Sequence, residues 1–180
     1  LFLFLPIVFF LYPILQFNSY FFSRLFLLVF SLTFYGFDHP WFLAPLLLSA
    51  SIDYLISKKM LSENFNKRNK NLLISISLII NLGLLIFFKY IPFIEESFSF
   101  LSFGSSFTLP AQLKFIMPAG ISFYTFQTLS FVFDVYKGKV KALPYPIDYF
   151  LYVCYFPQLV AGPILRPSDF FDSKSIIKLK

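Results

Sequence analysis

The sequence has few charged residues, one histidine and one cysteine. Lys, Arg, Asp and Glu make up 13% of its 180 residues, which is about half of the share in a typical soluble domain. A single histidine, His39, excludes a metal site with two histidine ligands, and Cys154 alone forms neither an internal disulfide nor a zinc cluster. No phosphate-binding glycine loop is present. These absences exclude an ordinary soluble domain and the common metal and phosphate-loop sites.

Apolar residues are correspondingly abundant: 58% of the residues are hydrophobic and 23% are aromatic. A helix that crosses a bilayer core of about 30 Å needs about 20 mostly apolar residues. The uncharged runs therefore predict an all-α, polytopic integral membrane protein with six transmembrane or re-entrant helices and a single membrane domain over residues 1–180. The six runs are Leu1–Phe17, Tyr20–Gly36, Pro40–Ser57, Leu72–Phe88, Phe115–Phe133 and Tyr149–Leu165.

The basic residues lie in short clusters between these runs. Five of them fall in Lys58–Asn71 beside a single acidic residue, and the positive-inside rule places such a segment in the cytoplasm. Alternation then puts the Asp38–His39 turn and the Ile91–Gln112 loop outside and Lys137–Lys141 inside. Charges clustered in this way argue against a nucleic-acid partner, since they do not follow one face or helix.

Polar residues inside the runs carry the next signal. Asn81 and Gln127 predict interhelical hydrogen bonds. Asp53 and Asp134 lie near the basic clusters, which predicts pairing with Lys or Arg at the membrane interface.

The sixth run is interrupted by Pro157, Gly162 and Pro163. The basic residues that follow it favour a re-entrant segment that returns to the cytoplasmic side over a full crossing. Backbone groups freed by the break need partners, which Gln158, neighbouring helices or water would supply. Physics alone predicts a membrane protein with a polar intramembrane cavity, and leaves an enzyme, a transporter and a scaffold protein open.

Two motifs narrow this choice. Pro118–Gln127 reads PAGISFYTFQ, and Phe156–Ile164 reads FPQLVAGPI and is followed by Arg166. They resemble the signatures of the membrane-bound O-acyltransferase superfamily, in its bacterial alginate O-acetyltransferase branch. The resemblance covers nearly the whole chain and departs from the family at Phe131, where a tyrosine is expected.

The resemblance implies an N-terminal fragment of a multi-pass enzyme of the bacterial inner membrane, built around a helical tunnel. Such an enzyme transfers an acyl group, acetyl above all, to a hydroxyl of an exported polysaccharide or partner protein. Acetyl-CoA or another acyl thioester would be a substrate, and no bound cofactor is expected. The implied partners are membrane lipid and a cell-envelope polysaccharide or a periplasmic acyltransferase.

The family's catalytic histidine is expected beyond the second motif, in sequence that this chain does not contain. His39 lies in an outer turn and in the wrong motif, so we expect no catalytic residue in this chain and no activity of the chain alone. Gln127, Gln158 and Arg166 are the predicted substrate-binding residues of the tunnel. The alternative is a fragment of a membrane transporter for polysaccharide, lipid or solute, since broken helices near the midplane also occur there.

Overall fold

The structure is a computed structural model that describes residues 4–18, 20–37, 39–62, 65–90, 93, 118–161 and 166–172. All regular secondary structure in these ranges is helical, which confirms the predicted all-α fold. The α-helices there are α1 Phe4–Asn18, α2 Tyr20–Tyr35, α3 Leu43–Ser62, α4 Lys67–Leu85, α5 Ile121–Tyr136, α6 Pro146–Cys154, α7 Phe156–Ala161 and α8 Pro167–Asp172. A 3-10 turn, Pro40–Phe42, leads into α3, and a π-helical turn, Ile86–Tyr90, extends α4.

Two helices of the described ranges are long and apolar enough to cross a membrane. They are Pro40–Ser62 and Lys67–Tyr90, each counted with its adjoining turn. Tyr20–Tyr35 is apolar but shorter. The predicted outer loop Ile91–Gln112 lies outside the described residues except for Phe93, as does the start of the predicted fifth run before Pro118.

Helix α3 lies at the centre of the helical assembly. It packs against α4, α5 and α6, while α2 packs against α1, α6 and α7. Ala50 on α3 is fully buried, and small residues of this kind let helix backbones approach closely in a membrane. The aromatic rings of Phe131, Tyr149 and Tyr152 fill the space between α5 and α6, with the first two centroids 4.8 Å apart. These contacts form a continuous core around α3.

Consecutive helices from α2 to α5 alternate in direction. At one end, the Tyr136 hydroxyl donates to the Asn71 side chain at the start of α4. At the other, the Tyr35 hydroxyl donates to the Ala119 carbonyl just before α5, 2.7 Å away. The end that holds Tyr136 carries most of the basic residues of the described ranges, and we call it the basic end. Its cations include Lys58, Lys59, Lys67, Arg68, Lys70, Lys137, Lys139 and Lys141.

The predicted break in the sixth run is present. Helix α6 ends at Cys154, Tyr155 has φ −60° and ψ 112°, and α7 begins at Phe156. Pro157 lacks an N–H, and its ring would clash with the Val153 carbonyl of a regular helix, which favours a kink or a break at this point. Gly162 and Pro163, the other predicted breakers, lie outside the described residues.

Candidate functional site

A cluster of polar side chains lies where α3, α4 and α5 meet. All of its members are fully buried, and we call them the polar cluster: Ser49, Asp53, Ser77, Asn81 and Thr128. Ser77 Oγ donates to Asp53 Oδ1 at 2.6 Å, and Asn81 Nδ2 donates to Asp53 Oδ2 at 2.9 Å. Ser49 Oγ donates to Asn81 Oδ1 at 2.5 Å, and Thr128 Oγ1 lies farther from that oxygen, at 3.4 Å. The interhelical bonding predicted for Asn81 is confirmed.

The prediction that Asp53 pairs with Lys or Arg is wrong. In the described residues its carboxylate binds only the hydroxyl and amide donors of the polar cluster. The reason is the rotation of the helix: Asp53 lies one turn from Ser49 on the buried face of α3, whereas Lys58 and Lys59 lie on exposed faces. The same prediction is confirmed for Asp134, which pairs with Lys139 at 3.7 Å.

At the break between α6 and α7, side chains from two other helices satisfy the freed backbone groups. In a continuous helix the Phe156 N–H would donate to the Tyr152 carbonyl. Here the Phe156 N–H donates to Ser31 Oγ of α2 at 3.3 Å, and the Tyr152 carbonyl accepts from Gln127 Nε2 of α5 at 2.5 Å. Both freed backbone groups therefore find buried partners, in agreement with the prediction that neighbouring helices satisfy them.

Gln127 and Gln158 are buried, whereas Arg166 is exposed just before α8. Gln127 Oε1 has no hydrogen-bond partner among the described residues, so this side chain has an acceptor to spare. The Gln158 N–H donates to the Tyr155 carbonyl in the first turn of α7 at 3.0 Å. Their predicted role in substrate binding stays a prediction. Sequence reasoning missed Ser31, because nothing in the apolar run of α2 distinguishes this serine from Ser23 or from an ordinary residue of a membrane helix.

The two sequence motifs lie against each other. Gly120, at the turn before α5, has φ +70°, and a Cβ placed there would lie 3.4 Å from the Leu159 carbonyl of α7. A positive φ is adopted readily only by glycine. The turn is also fixed from α2 by the Tyr35 hydroxyl. The turn of the first motif thus lies next to α7 of the second motif.

His39 lies at the end of the molecule opposite the basic end. Its ring is half-buried and packs on Phe42 with centroids 5.0 Å apart. No group of three His, Cys, Asp or Glu side chains that could hold a metal is found among the described residues.

Known proteins provide an independent comparison. The chain is 35% identical over 178 residues to probable alginate O-acetylase AlgI of Pseudomonas aeruginosa, covering 96% of this chain and 32% of that protein. It is 33% identical over 195 residues to the peptidoglycan O-acetyltransferase of Helicobacter pylori, covering 94% of this chain and 36% of the relative. The chain therefore spans about a third of the length of these relatives. No protein-family model matches it, and no solved structure is significantly similar to it.

The described residues form helices with a broken apolar segment and buried polar contacts between them, and the chain is similar over nearly all its length to O-acetyltransferases. The chain is therefore a segment of a membrane-bound O-acyltransferase. Within that superfamily the chain belongs to the branch of the alginate O-acetylases. The family resemblance predicted from the two motifs is confirmed.

Proposed function

We propose that this chain is part of a membrane O-acetyltransferase that acts on a cell-envelope polysaccharide. The observation that carries the proposal is its 30–35% identity, across 94–96% of its length, to relatives named alginate O-acetylase and peptidoglycan O-acetyltransferase. Those names favour the enzyme over the transporter that the sequence left open. The reaction would move an acetyl group from an acyl thioester such as acetyl-CoA to a hydroxyl, with the thiol as leaving group.

We propose a multi-pass position in the bacterial inner membrane, with six membrane segments and the basic end in the cytoplasm. The positive-inside rule supports this orientation, because the opposite end of the described helices carries only Lys89 and His39 as basic side chains. The nine residues of α6 rise about 13 Å from the basic end. The break at Tyr155 then lies near the middle of a hydrocarbon core of about 30 Å.

The broken segment would form a wall of the acyl-transfer tunnel. Non-helical backbone at this depth is tolerated where it is buried in protein or lines a cavity. Ser31 and Gln127 satisfy the backbone groups that the break frees, and Gln127 Oε1 is available to a polar group of substrate or donor. We propose the same contact role for Gln158 and, at the mouth of the tunnel, for Arg166.

The general base of the reaction would come from the part of the enzyme that the relatives possess and this chain does not match. Abstraction of the hydroxyl proton by a positioned base contributes about 10²–10⁴-fold to such reactions. His39 is the only histidine of the chain and packs on Phe42, away from the break. We therefore propose that the chain alone transfers no acetyl group.

A chimera tests this function. The matching segment of the Pseudomonas aeruginosa protein would be replaced by this chain in a strain that lacks the native gene, and acetyl esters on the secreted alginate would be measured. We expect acetylation to be restored, and Gln127→Leu to reduce it at least tenfold. Phe126→Leu is the matched control, because Phe126 is the preceding residue and is exposed.

Insertion and protein level would be measured in the same membranes. A chimera that inserts and accumulates like the parent protein, yet leaves the alginate unacetylated, contradicts the proposed function. Equal acetylation by the two single variants would leave the function intact and remove Gln127 from the tunnel wall.

A further inference from the structure

A cavity of about 480 Å³ opens at the basic end, between α2, the loop after α5, α6 and α8. Three cations line it, Arg24, Lys139 and Lys141, together with the carboxylates Asp134 and Asp148. It lies apart from the helix break at Tyr155, which is seven residues beyond the cavity residue Asp148 of α6. Neither the polar cluster nor the contacts of the break use its side chains.

Two of the three cations are held in place by carboxylates. Arg24 Nη1 lies 3.1 Å from both Asp148 oxygens, and Asp148 is 3% exposed. Lys139 Nζ lies 3.7 Å from Asp134 Oδ1. Lys141 has no ion-pair partner among the described residues. The cavity therefore has a surplus of one positive charge, and its guanidinium is already positioned before any ligand arrives.

The remaining walls are apolar. Leu143, Pro144, Tyr145 and Phe171 line the same cavity, and Tyr145 is 75% exposed. An inorganic anion would leave these walls in contact with water. A ligand with a single negative charge beside an apolar body would use both halves of the lining. An anionic lipid at the membrane interface has this composition, and basic pockets between helices on the cytoplasmic side bind lipid head groups.

We propose that this cavity binds the phosphodiester head group of an anionic membrane lipid, with Lys141 supplying the charge that selects it. The phosphate lies against Arg24, Lys139 and Lys141, and the glycerol and upper acyl chains lie along Leu143 and Tyr145. The site depends on the proposed membrane orientation but not on acetyl transfer. A bound lipid here would fix α2, α6 and the loop after α5 to the inner leaflet.

Native mass spectrometry of the chain in detergent tests the site without any transfer reaction. The purified chain would be titrated with phosphatidylglycerol or phosphatidylcholine of the same acyl chains. We expect one phosphatidylglycerol to bind in preference to phosphatidylcholine, with a preference that falls as salt is raised. Lys141→Gln should lower the phosphatidylglycerol affinity about fivefold, the effect of about one basic residue near a membrane surface.

Lys137→Gln is the matched control, because Lys137 is an exposed lysine of the same loop and does not line the cavity. It should leave the preference for phosphatidylglycerol unchanged. Equal binding of the two lipids, or equal effects of the two lysine variants, would overturn the proposal. Displacement of the lipid by millimolar inorganic phosphate or coenzyme A would assign the cavity to a soluble phosphate ligand and also overturn it.

Discussion

Replacement of Asn81 by alanine should destabilise the packing of α3, α4 and α5 more than any other single polar substitution in these helices. Asn81 of α4 is linked to both neighbours: it accepts from Ser49 of α3 at 2.5 Å and from Thr128 of α5 at 3.4 Å, and it donates to Asp53 of α3 at 2.9 Å. Interhelical hydrogen bonds in a membrane protein average about 0.6 kcal/mol each and reach about 1.7. Three bonds at the average value amount to about 2 kcal/mol.

The expected destabilisation is larger than this sum, because one of the acceptors is the carboxylate of Asp53 on α3. Asp53 is fully buried and is held by two donors, of which Asn81 is one. Hydrogen bonds to charged groups contribute about 1.5–3 kcal/mol, and a buried group left without its donor loses that stabilisation. We therefore expect Asn81→Ala to lower the free energy of unfolding by about 2–4 kcal/mol.

Titration with sodium dodecyl sulfate in mixed micelles, followed by circular dichroism, measures this free energy. Asn69→Ala is the control, because Asn69 lies on the same helix and is exposed, and it should change stability by no more than about 0.5 kcal/mol. A double-mutant cycle with Asp53→Ala should give a coupling of at least about 1 kcal/mol. The reasoning is refuted if the two asparagine variants unfold alike, or if the coupling is zero.

Four further predictions follow from the helix break, the turn before α5, the charges and the histidine. Ser31→Ala should cost about 1–3 kcal/mol, because the Phe156 N–H loses its acceptor, and the same unfolding titration measures it. Gly120→Ala should cost about 1–2 kcal/mol through its positive φ, whereas Gly83→Ala, on an open helical face, should stabilise by up to about 1 kcal/mol; costs of equal sign would contradict this reasoning. Reporter fusions after the basic residues at 70 and 141 should both report the cytoplasm, and an outward report at 70 would reverse the orientation. The purified chain should transfer no acetyl from acetyl-CoA to alginate above background, and activity that disappears with His39→Ala would show that this histidine is a catalyst.

The sequence determined the class of the molecule and much of its order along the chain. A composition with 23% aromatic and 13% charged residues provides too few polar side chains to cover the surface of a water-soluble domain. In a membrane, helices satisfy their backbone hydrogen bonds internally, so the sequence predicts helices. The break in the sixth run was expected near Pro157, because a proline removes an N–H donor and crowds the carbonyl four residues earlier. The interhelical role of Asn81 followed from the cost of an unpaired amide in an apolar run. All of these are local rules that depend on residues close together in the chain.

Tertiary structure decided which groups meet. The partners of the break, Ser31 and Gln127, come from different helices, and Ser31 lies 125 residues from Phe156. Asp53 was misassigned because sequence distance to Lys58 suggested a contact that the rotation of α3 prevents. Hydrogen bonds and ion pairs act over about 3–4 Å, so the rotation and packing of each helix decide them, and an apolar sequence that is uniform around a helix does not specify that rotation.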